Sequence, residues 1–289
     1  MLIGLLKTMR PKQWTKNVFV FAALIFDKKL FHPVWFTRTL AAFLLFCLIS
    51  GTVYLINDVV DLEKDRRHPE KRKRPLPSGQ LSPQVAVTAA LVFGAAGIAL
   101  SFLLDLRFGV IALLYLASMV LYSFVLKHMV IIDIMTIAAG FVLRVAGGVV
   151  VIPVERFSPW LYVCTTLLAL FMAASKRRHE LVLLAESANN HRRILDEYNI
   201  EFLDDIIALV TSTTVIAYSL YTFSAPNLPA NHAMMLTIPF VLYGLFRYLY
   251  LVRVRGLGGA PEDLLLKDIP LLLDVIGFGL TAVLILYIF

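Results

Sequence analysis

The chain is 289 residues long, 59% of them hydrophobic and only 16% charged, and its mean hydropathy is +0.79. An average soluble protein holds roughly 45–50% apolar and about 25% charged residues, so this composition excludes a soluble globular domain. A net charge of +7 would suggest a nucleic-acid partner for a soluble chain, but in a membrane protein it first reflects topology, and we expect no nucleic-acid partner.

Apolar runs separated by charged or Pro/Gly-containing breaks predict nine membrane-spanning helices in a single polytopic domain over residues 1–289. Each run is close to the roughly 20 residues that cross a bilayer as a helix. The predicted spans are 15–31, 36–56, 83–104, 108–126, 130–152, 159–175, 205–223, 233–252 and 270–288. The first is predicted to be retained as a span, because no small-residue cleavage site follows it. The predicted fold class is therefore an all-α integral membrane bundle.

Basic residues fall mainly on one side of the predicted bundle. With the N-terminus in the cytoplasm, the cytoplasmic segments carry 20 Lys and Arg residues, including Arg192 and Arg193. The opposite side carries 5, including Arg156. This asymmetry predicts a cytoplasmic N-terminus and a multi-pass protein of the cytoplasmic (inner) membrane. The two long predicted loops, 57–82 and 176–204, then face the cytoplasm, where we expect the chemistry.

An acidic ladder ends the second predicted span. Its members are one amide and three carboxylates: Asn57, Asp58, Asp61 and Asp65. At about 100° per residue, they share one face of a continuous helix over roughly 12 Å. Like charges at this spacing destabilise a bare helix, so the face favours a bound cation, and its hard oxygen atoms suit Mg²⁺. The competing interpretation is a solvated helix end paired with the basic loop that follows, but acidic residues at membrane depth are usually functional.

The acidic ladder resembles the first Asp-rich motif of the UbiA superfamily of intramembrane prenyltransferases. The resemblance implies a nine-helix bundle with a Mg²⁺–diphosphate site on its cytoplasmic side. Further segments are similar to the decaprenyl-phosphate phosphoribosyltransferase branch, which implies a role in cell wall biosynthesis. These segments are 10–17 (RPKQWTKN), 66–69 (RRHP), 73–75 (KRP), 122–128 (YSFVLKH), 132–134 (IDI), 140–148 (GFVLRVAGG) and 175–181 (SKRRHEL).

The chain departs from the aromatic prenyltransferases of the superfamily, which carry a second Asp-x-x-x-Asp motif after the sixth span. Lys176 and Glu180 stand at the matching positions, with Arg177 and Arg178 between them. This departure argues against a second carboxylate pair for Mg²⁺. Guanidinium groups match phosphate oxygens, and phosphoribosyl pyrophosphate (PRPP) carries a 5-phosphate in addition to its pyrophosphate. The substitution therefore favours PRPP as the donor.

The resemblance implies a Mg²⁺-dependent membrane phosphoribosyltransferase that moves the 5-phosphoribosyl group of PRPP onto a polyprenyl (decaprenyl) phosphate and releases pyrophosphate. In this hypothesis the acidic ladder holds the metal. The candidate catalytic residues are Asp58, Asp61, Lys127, Asp133 and Glu180. Asp133 or Glu180 is the candidate for stabilising oxocarbenium character at the ribose.

The candidate substrate-binding residues lie near the predicted cytoplasmic face, apart from Arg144 near the middle of the fifth span. They are Lys16, Asn17, Arg66, Arg74, Tyr122, Lys127, His128, Arg144, Lys176 and Arg177. Lys127 with Tyr122, and also Arg74, are assigned to the pyrophosphate. Lys176 and Arg177 are assigned to the 5-phosphate, and Lys16 to the acceptor phosphate. Because it is charged at membrane depth, Arg144 is also predicted to face the bundle interior and to pair with an acid or a carbonyl.

Three other functions compete with this hypothesis. An aromatic prenyltransferase would share the acidic ladder and Mg²⁺ but use a prenyl diphosphate donor, and the replaced second motif argues against it. A transporter or scaffold would not need three carboxylates and an amide on one helix face. A CDP-alcohol phosphotransferase would require an Asp-Gly-x-x-Ala-Arg continuation that this sequence does not contain.

Overall fold

The computed structural model describes residues 2–68, 71–154, 159–185, 197–225, 228–257 and 261–288. Arg156, Arg192 and Arg193, which contribute to the predicted charge asymmetry, lie outside these residues. All regular secondary structure in the described ranges is helical. The chain divides into two compact units, the first formed by Met1–Leu24, Leu30–Thr136 and Leu143–Val154, and the second by Ile25–Lys29, Ile137–Val142 and Glu155–Phe289. The single polytopic domain stays a prediction.

Twelve α-helices are described, and most are long and apolar. They are α1 (Leu2–Thr8), α2 (Ala22–Phe26), α3 (Pro33–Val60), α4 (Leu62–Arg67), α5 (Pro83–Leu104), α6 (Leu106–Phe124), α7 (Ile132–Val150), α8 (Pro159–Ala185), α9 (Ile200–Ser224), α10 (Ile238–Arg253), α11 (Pro261–Lys267) and α12 (Ile269–Ile288). Short 3-10 helices cover Pro11–Phe21, Lys71–Lys73, Leu126–His128 and Ala233–Thr237.

Eight helical segments of the described chain are long and apolar enough to cross a membrane, and they match the second to ninth predicted spans. The prediction of an all-α integral membrane bundle is confirmed. The first predicted span, 15–31, instead folds mainly as the 3-10 helix Pro11–Phe21 followed by the short α2. The count of nine spans and the cytoplasmic N-terminus therefore stay predictions.

The helix boundaries follow from local chemistry. Ser82 caps α5, its hydroxyl accepting a hydrogen bond from the backbone N–H of Val85, and Pro83 occupies the first turn. Asp105 separates α5 from α6 and caps α6 by accepting from two backbone N–H groups. Asn199 caps α9, its side-chain oxygen accepting from the backbone N–H of Phe202. Each cap satisfies N–H groups that the first helical turn leaves without an intrahelical partner.

Helix α8 extends ten residues beyond the end predicted for the sixth span, from 175 to Ala185. The predicted loop starting at Lys176 is therefore helical over its first part. Lys, Arg, Glu and Leu are good helix formers, so a charged segment can continue a helix after its apolar pattern has ended. As a result, Lys176, Arg177 and Glu180 project from a helix rather than from a loop.

In the first unit, the Pro11–Phe21 segment packs closely against α7. The Phe46 ring contacts those of Phe108 and Tyr115 edge-on in the same core. A Cβ atom added at Gly148 would lie 1.9 Å from the backbone oxygen of Val20, so only glycine permits this approach. Direct backbone contact therefore holds the part of the predicted first span that lies in Pro11–Phe21 against α7.

In the second unit, Tyr218, Tyr221 and Met234 form an apolar cluster with residues of α12. Arg247 of α10 donates two hydrogen bonds, of 3.0 and 2.8 Å, to the two carboxylate oxygens of Asp268. Asp268 also caps α12 by accepting from the backbone N–H of Leu271. These contacts fix the start of α12 next to α10 within this unit.

Candidate active site

The acidic ladder lies at the junction of α3 and α4. Asp61 interrupts the predicted continuous helix with backbone angles φ −91° and ψ 6°, yet the hydrogen bonds continue from the N–H of Asp61 to the oxygen of Asn57 and from the N–H of Asp65 to the oxygen of Asp61. Asp58 and Asp65 are buried, with side chains 1% and 4% exposed. Asp61 and Asn57 are half-buried. The ladder is thus a bent helix end rather than one straight face.

Two arginines converge on Asp58. Oδ1 of Asp58 accepts a hydrogen bond from Nη2 of Arg10, which precedes the first 3-10 helix, and it lies 3.4 Å from Nη1 of Arg74. Arg74 follows the short 3-10 helix after α4. Arg74 is among the site residues predicted from the sequence. Arg10 is included there only in the segment 10–17 and among the basic residues that predict topology. The two partners lie 48 and 16 residues away in sequence, so the pairing arises from the tertiary fold.

Arg74 also joins Asp58 to Asp65. The same Nη1 atom lies 2.7 Å from Oδ2 of Asp65, and Nζ of Lys71 lies 4.0 Å from Oδ1 of Asp65. Asp58 and Asp65 therefore present oxygen atoms to one shared nitrogen. The predicted proximity of these two carboxylates is present in the structure, with a guanidinium group between them.

Lys127 is the partner of Asp61. Its Nζ lies 2.8 Å from Oδ1 of Asp61, and its side chain is only 4% exposed. Lys127 belongs to the 3-10 helix Leu126–His128 that links α6 to α7. Every carboxylate of the acidic ladder therefore has a basic partner from a different element. Two or three carboxylates surrounded by several cations can bind a divalent metal together with the phosphates that the metal accompanies.

The donor atoms fit a magnesium–diphosphate group. Among the described residues, no three His, Cys, Asp or Glu side chains are grouped as a metal site. Mg²⁺ does not require such a group, because it is usually held by one or two carboxylates, several waters and the phosphates of its substrate. Asp58 and Asp65, joined through Arg74, supply two such carboxylates.

Asn17 and Arg144 meet in a buried polar network in the first unit. The Nε of Arg144 donates to Oδ1 of Asn17, and its Nη2 donates to the Tyr115 hydroxyl, both over 2.7 Å. Asn17 Nδ2 in turn lies 3.2 Å from Oγ of Ser50 and 3.3 Å from Sγ of Cys47. Arg144 thus faces the interior and pairs with an amide carbonyl, as the sequence indicates. Its role in substrate binding stays a prediction.

The other candidates of the first unit lie on four different elements: the Pro11–Phe21 helix, α6, the Leu126–His128 helix and α4. Lys16 donates to Oε1 of Gln13 over 2.6 Å. Tyr122 is half-buried near the end of α6, and His128 is exposed after Lys127. Arg66 is exposed and pairs with Glu63, so the structure does not place it on a ladder carboxylate. Both arginines lie in the same basic run, from which the sequence-based hypothesis assigns Arg74 but not Arg66 to the pyrophosphate.

Asp133 is the second residue of α7 and follows a strained turn. Ile131 has φ 68° and ψ −46°, and the N–H of Ile132 donates to the oxygen of Val130 over 2.8 Å, which is the geometry of a γ-turn. A β-branched residue with positive φ is a genuine outlier and costs free energy. The turn brings the side chain of Asp133 to a fully buried position two residues later.

The remaining candidates belong to α8 in the second unit. Nη1 of the buried Arg177 pairs with Oε2 of Glu180 one turn later. Arg178 donates from Nε to Asp204 over 2.7 Å, and Arg253 also pairs with Asp204. Lys176, directly before Arg177, is half-buried. The segment is therefore a charged helix surface rich in guanidinium groups, in which Glu180 already has a basic partner.

Comparison with known proteins identifies the family. The sequence model of the UbiA prenyltransferase family matches residues 17–260. The chain belongs to this family. The predicted family and the predicted membrane transferase class are thereby confirmed.

The chain resembles individual members of the UbiA family along most of its length. It is 33% identical over 271 residues to a decaprenyl-phosphate phosphoribosyltransferase of Mycobacterium tuberculosis, covering 92% of this chain and 88% of that protein. It is 32% identical to the protein of that name from Corynebacterium glutamicum, covering 99% and 87%. A UbiA homologue from Archaeoglobus fulgidus, solved with GPP and Mg²⁺, superposes with a TM-score of 0.75 over 98% of this chain and 99% of its own at 16% identity, which supports the fold.

Proposed function

We propose that this UbiA family member transfers the 5-phosphoribosyl group of PRPP to a polyprenyl phosphate, with Mg²⁺, at the cytoplasmic face of the cytoplasmic membrane. The relatives named decaprenyl-phosphate phosphoribosyltransferase support this assignment, since they match more than nine-tenths of the chain. The observation that carries it is the arrangement of Asp58 and Asp65 around Arg74, with Arg10 on the same Asp58 oxygen. In this arrangement, carboxylates that can bind a metal lie next to guanidinium groups that can bind phosphates.

The reaction exchanges one bond at the ribose for another. An oxygen of the polyprenyl phosphate bonds to C1 of the ribose while the bond from C1 to the pyrophosphate oxygen breaks, and its electron pair leaves with pyrophosphate. The acceptor phosphate is already an anion, so the proposal needs no general base. Catalysis then rests on positioning and on stabilisation of charge.

The acidic ladder would hold Mg²⁺, through Asp58, Asp61 and Asp65, with Asn57 as a neutral ligand. When bound, the metal supplies Lewis-acid stabilisation to the leaving pyrophosphate. Arg74 and Lys127, with Tyr122, are proposed to hold the pyrophosphate oxygens that the metal does not engage. Both cations already lie against ladder carboxylates, at 2.7 and 2.8 Å.

The other substrate groups are assigned to other side chains. Lys176 and Arg177 of α8 are proposed for the 5-phosphate of PRPP, and Lys16 for the acceptor phosphate. Asp133 or Glu180 would stabilise positive charge at the ribose.

The alternative function is an aromatic prenyltransferase that uses a prenyl diphosphate. It would employ the same acidic ladder, and the solved relative that binds GPP and Mg²⁺ is consistent with such a donor. The guanidinium-rich α8 segment favours PRPP, since a prenyl diphosphate has one anionic group and PRPP has two.

One assay separates the two donors. The detergent-purified chain is incubated with MgCl₂, polyprenyl phosphate and ribose-labelled PRPP, and the lipid extract is counted. We expect labelled lipid that depends on Mg²⁺ and is abolished by EDTA. A parallel reaction contains geranyl diphosphate and 4-hydroxybenzoate. Prenylated product there, with no labelled lipid from PRPP, would contradict the proposal and establish the alternative.

A further inference from the structure

Two guanidinium groups share one carboxylate oxygen in the acidic ladder. Arg10 and Arg74 both lie against Oδ1 of Asp58, whose side chain is 1% exposed. The arginine side chains are 26% and 30% exposed, so they are largely withdrawn from water. A metal held by Asp58 would draw on the same buried carboxylate. Arg10 and a metal ion would therefore compete for Asp58.

The position of Arg10 is defined by its backbone and by an aromatic ring. Arg10 has φ 53° and ψ 67°, a left-handed conformation that a residue with a side chain adopts at a cost. Its guanidinium carbon lies 4.7 Å from the centroid of the Tyr54 ring, one turn before Asp58 on α3. A cation over an aromatic face is attracted to it. The strained backbone and the contact with Tyr54 therefore place the guanidinium group of Arg10 next to Asp58.

A metal that took Asp58 alone would leave the partly buried guanidinium group of Arg10 without the carboxylate it now faces, whereas Arg74 would keep Asp65 at 2.7 Å. Removing one partner from a buried ion pair is strongly unfavourable, because the other charge stays out of water. A diphosphate removes this penalty, since its oxygens can accept from both arginines and from the metal. Arg fits this function better than Lys because its planar fork can bind two phosphate oxygens at once.

We propose that Arg10 is a pyrophosphate-binding residue that exchanges Asp58 for a phosphate oxygen when the metal binds. The exchange makes metal and pyrophosphate bind cooperatively, and it suppresses binding of the metal by itself. By linkage, each ligand tightens the other by the same factor. This inference rests on the proposed metal–diphosphate site, and it adds a residue and a binding order to it.

The test measures metal affinity with and without inorganic pyrophosphate. Mn²⁺ replaces Mg²⁺ as a probe, and free Mn²⁺ is quantified by electron paramagnetic resonance during titration of the detergent-purified full chain. For the unaltered chain, we expect pyrophosphate to lower the Mn²⁺ Kd by about tenfold or more. Controls without protein correct for Mn²⁺–pyrophosphate complexes in solution.

The diagnostic variant is Arg10→Asn. Asparagine tolerates left-handed backbone angles, so it removes the guanidinium group without adding backbone strain. We expect Arg10→Asn to bind Mn²⁺ alone about three- to tenfold more tightly than the unaltered chain, and pyrophosphate to improve that affinity by less than about threefold. Arg10→Lys, which keeps the charge but loses the fork, should fall between the two.

The matched control is Arg67→Gln. Arg67 is exposed at the end of α4, so this change removes one positive charge from the same basic region. Its Mn²⁺ Kd values with and without pyrophosphate should equal those of the unaltered chain. Equal values would show that the effect of Arg10→Asn comes from the exchange at Asp58 and not from the loss of one positive charge. Thermal unfolding and size-exclusion profiles verify that each variant is folded.

The outcomes distinguish the inference from the function on which it rests. If the unaltered chain binds Mn²⁺ equally well with and without pyrophosphate, or if Arg10→Asn changes neither affinity, the exchange is wrong while the metal site stands. If a folded Arg10→Asn binds Mn²⁺ alone more weakly, the guanidinium group does not compete and the exchange is also wrong. No Mn²⁺ binding under either condition would overturn both proposals.

Discussion

Lys127 and Asp61 form an ion pair between the link that joins α6 to α7 and the bend that ends α3. Nζ of Lys127 lies 2.8 Å from Oδ1 of Asp61, and the lysine is almost completely buried. Sixty-six residues separate the two in sequence. A lysine is rarely buried unless its charge is matched, so the pair ties the ladder to the start of α7.

Lys127→Gln should therefore lower both activity and stability. We expect turnover with PRPP to fall roughly a hundredfold, as when one donor to a developing negative charge is lost, and the KM for PRPP to rise. Lys12→Gln, which removes an exposed lysine before the first predicted span, is the matched control. Steady-state assays of both variants measure the effect. Activity of Lys127→Gln within about threefold of Lys12→Gln would contradict the assigned role.

Asp58→Asn should abolish turnover while the fold persists. The substitution keeps the size of the side chain but removes the charge that a metal and two arginines require, and we expect at least a hundredfold loss of activity. Glu63→Gln serves as the control, because Glu63 is 74% exposed on α4 and pairs with Arg66. Mg²⁺-dependent labelled-lipid formation is the measurement. A fully active Asp58→Asn variant would refute the metal assignment.

The Asn17–Arg144–Tyr115 network should contribute measurably to stability. Asn17→Ala removes the acceptor of Nε of Arg144, and Tyr115→Phe removes that of its Nη2. Each change should cost about 1–3 kcal/mol, because a buried charged donor loses its acceptor. Unfolding in a mild detergent, with a double-mutant cycle, should show coupling of at least about 0.5 kcal/mol.

Thr15→Ala tests whether this effect is specific to the network. Thr15 is exposed on the same 3-10 helix and donates only to the oxygen of Lys12 among the described residues. Its replacement should change stability by less than about 0.5 kcal/mol. If Asn17→Ala is equally mild, Arg144 has an adequate second acceptor and the network is not a structural requirement.

The contact between Arg247 and Asp268 predicts a pH dependence. The hydrogen bonds from Arg247 hold the pKa of Asp268 below its usual value near 3.8, with burial acting in the opposite direction. Because the folded-state pKa is depressed, the stabilisation is fully present above the unfolded pKa and is lost as the pH falls through the folded one. The stability difference between the unaltered chain and Asp268→Asn should therefore shrink as the pH falls below about 4. Thermal unfolding between pH 6 and pH 3 measures it, and a constant difference would contradict the prediction.

Eight membrane helices of the described chain could be predicted from hydropathy, because a long apolar run identifies such a helix without reference to its neighbours. The segment from Pro11 to Phe21 is different. Its backbone passes close to α7 where Val20 meets Gly148, and these two residues lie far apart in sequence. The extension of α8 was also missed, because its charged end follows helix propensity rather than membrane hydropathy.

The residue types of the candidate site were readable from the sequence, but their partners were not. Asp58, Asp61 and Asp65 stand out by spacing and by membrane depth. Arg10 does not, because nothing local distinguishes it from other basic residues near the N-terminus. Its pairing with Asp58 requires the fold to bring together groups 48 residues apart. The bend at Asp61 was likewise hidden, since no proline or glycine marks it.

The close contact between Gly148 and the backbone of Val20 links a residue outside the candidate site to that site. Gly148 lies near the far end of α7 from Asp133, but it contacts the segment that begins directly after Arg10. A methyl group added there would meet the backbone of Val20, at the opposite end of that segment from Arg10, so we expect it to displace the segment and, through it, Arg10. Gly148→Ala should then behave in a kinetic screen like a substrate-affinity mutation. Sequence changes can therefore act on the proposed site from a position outside its proposed metal and phosphate contacts.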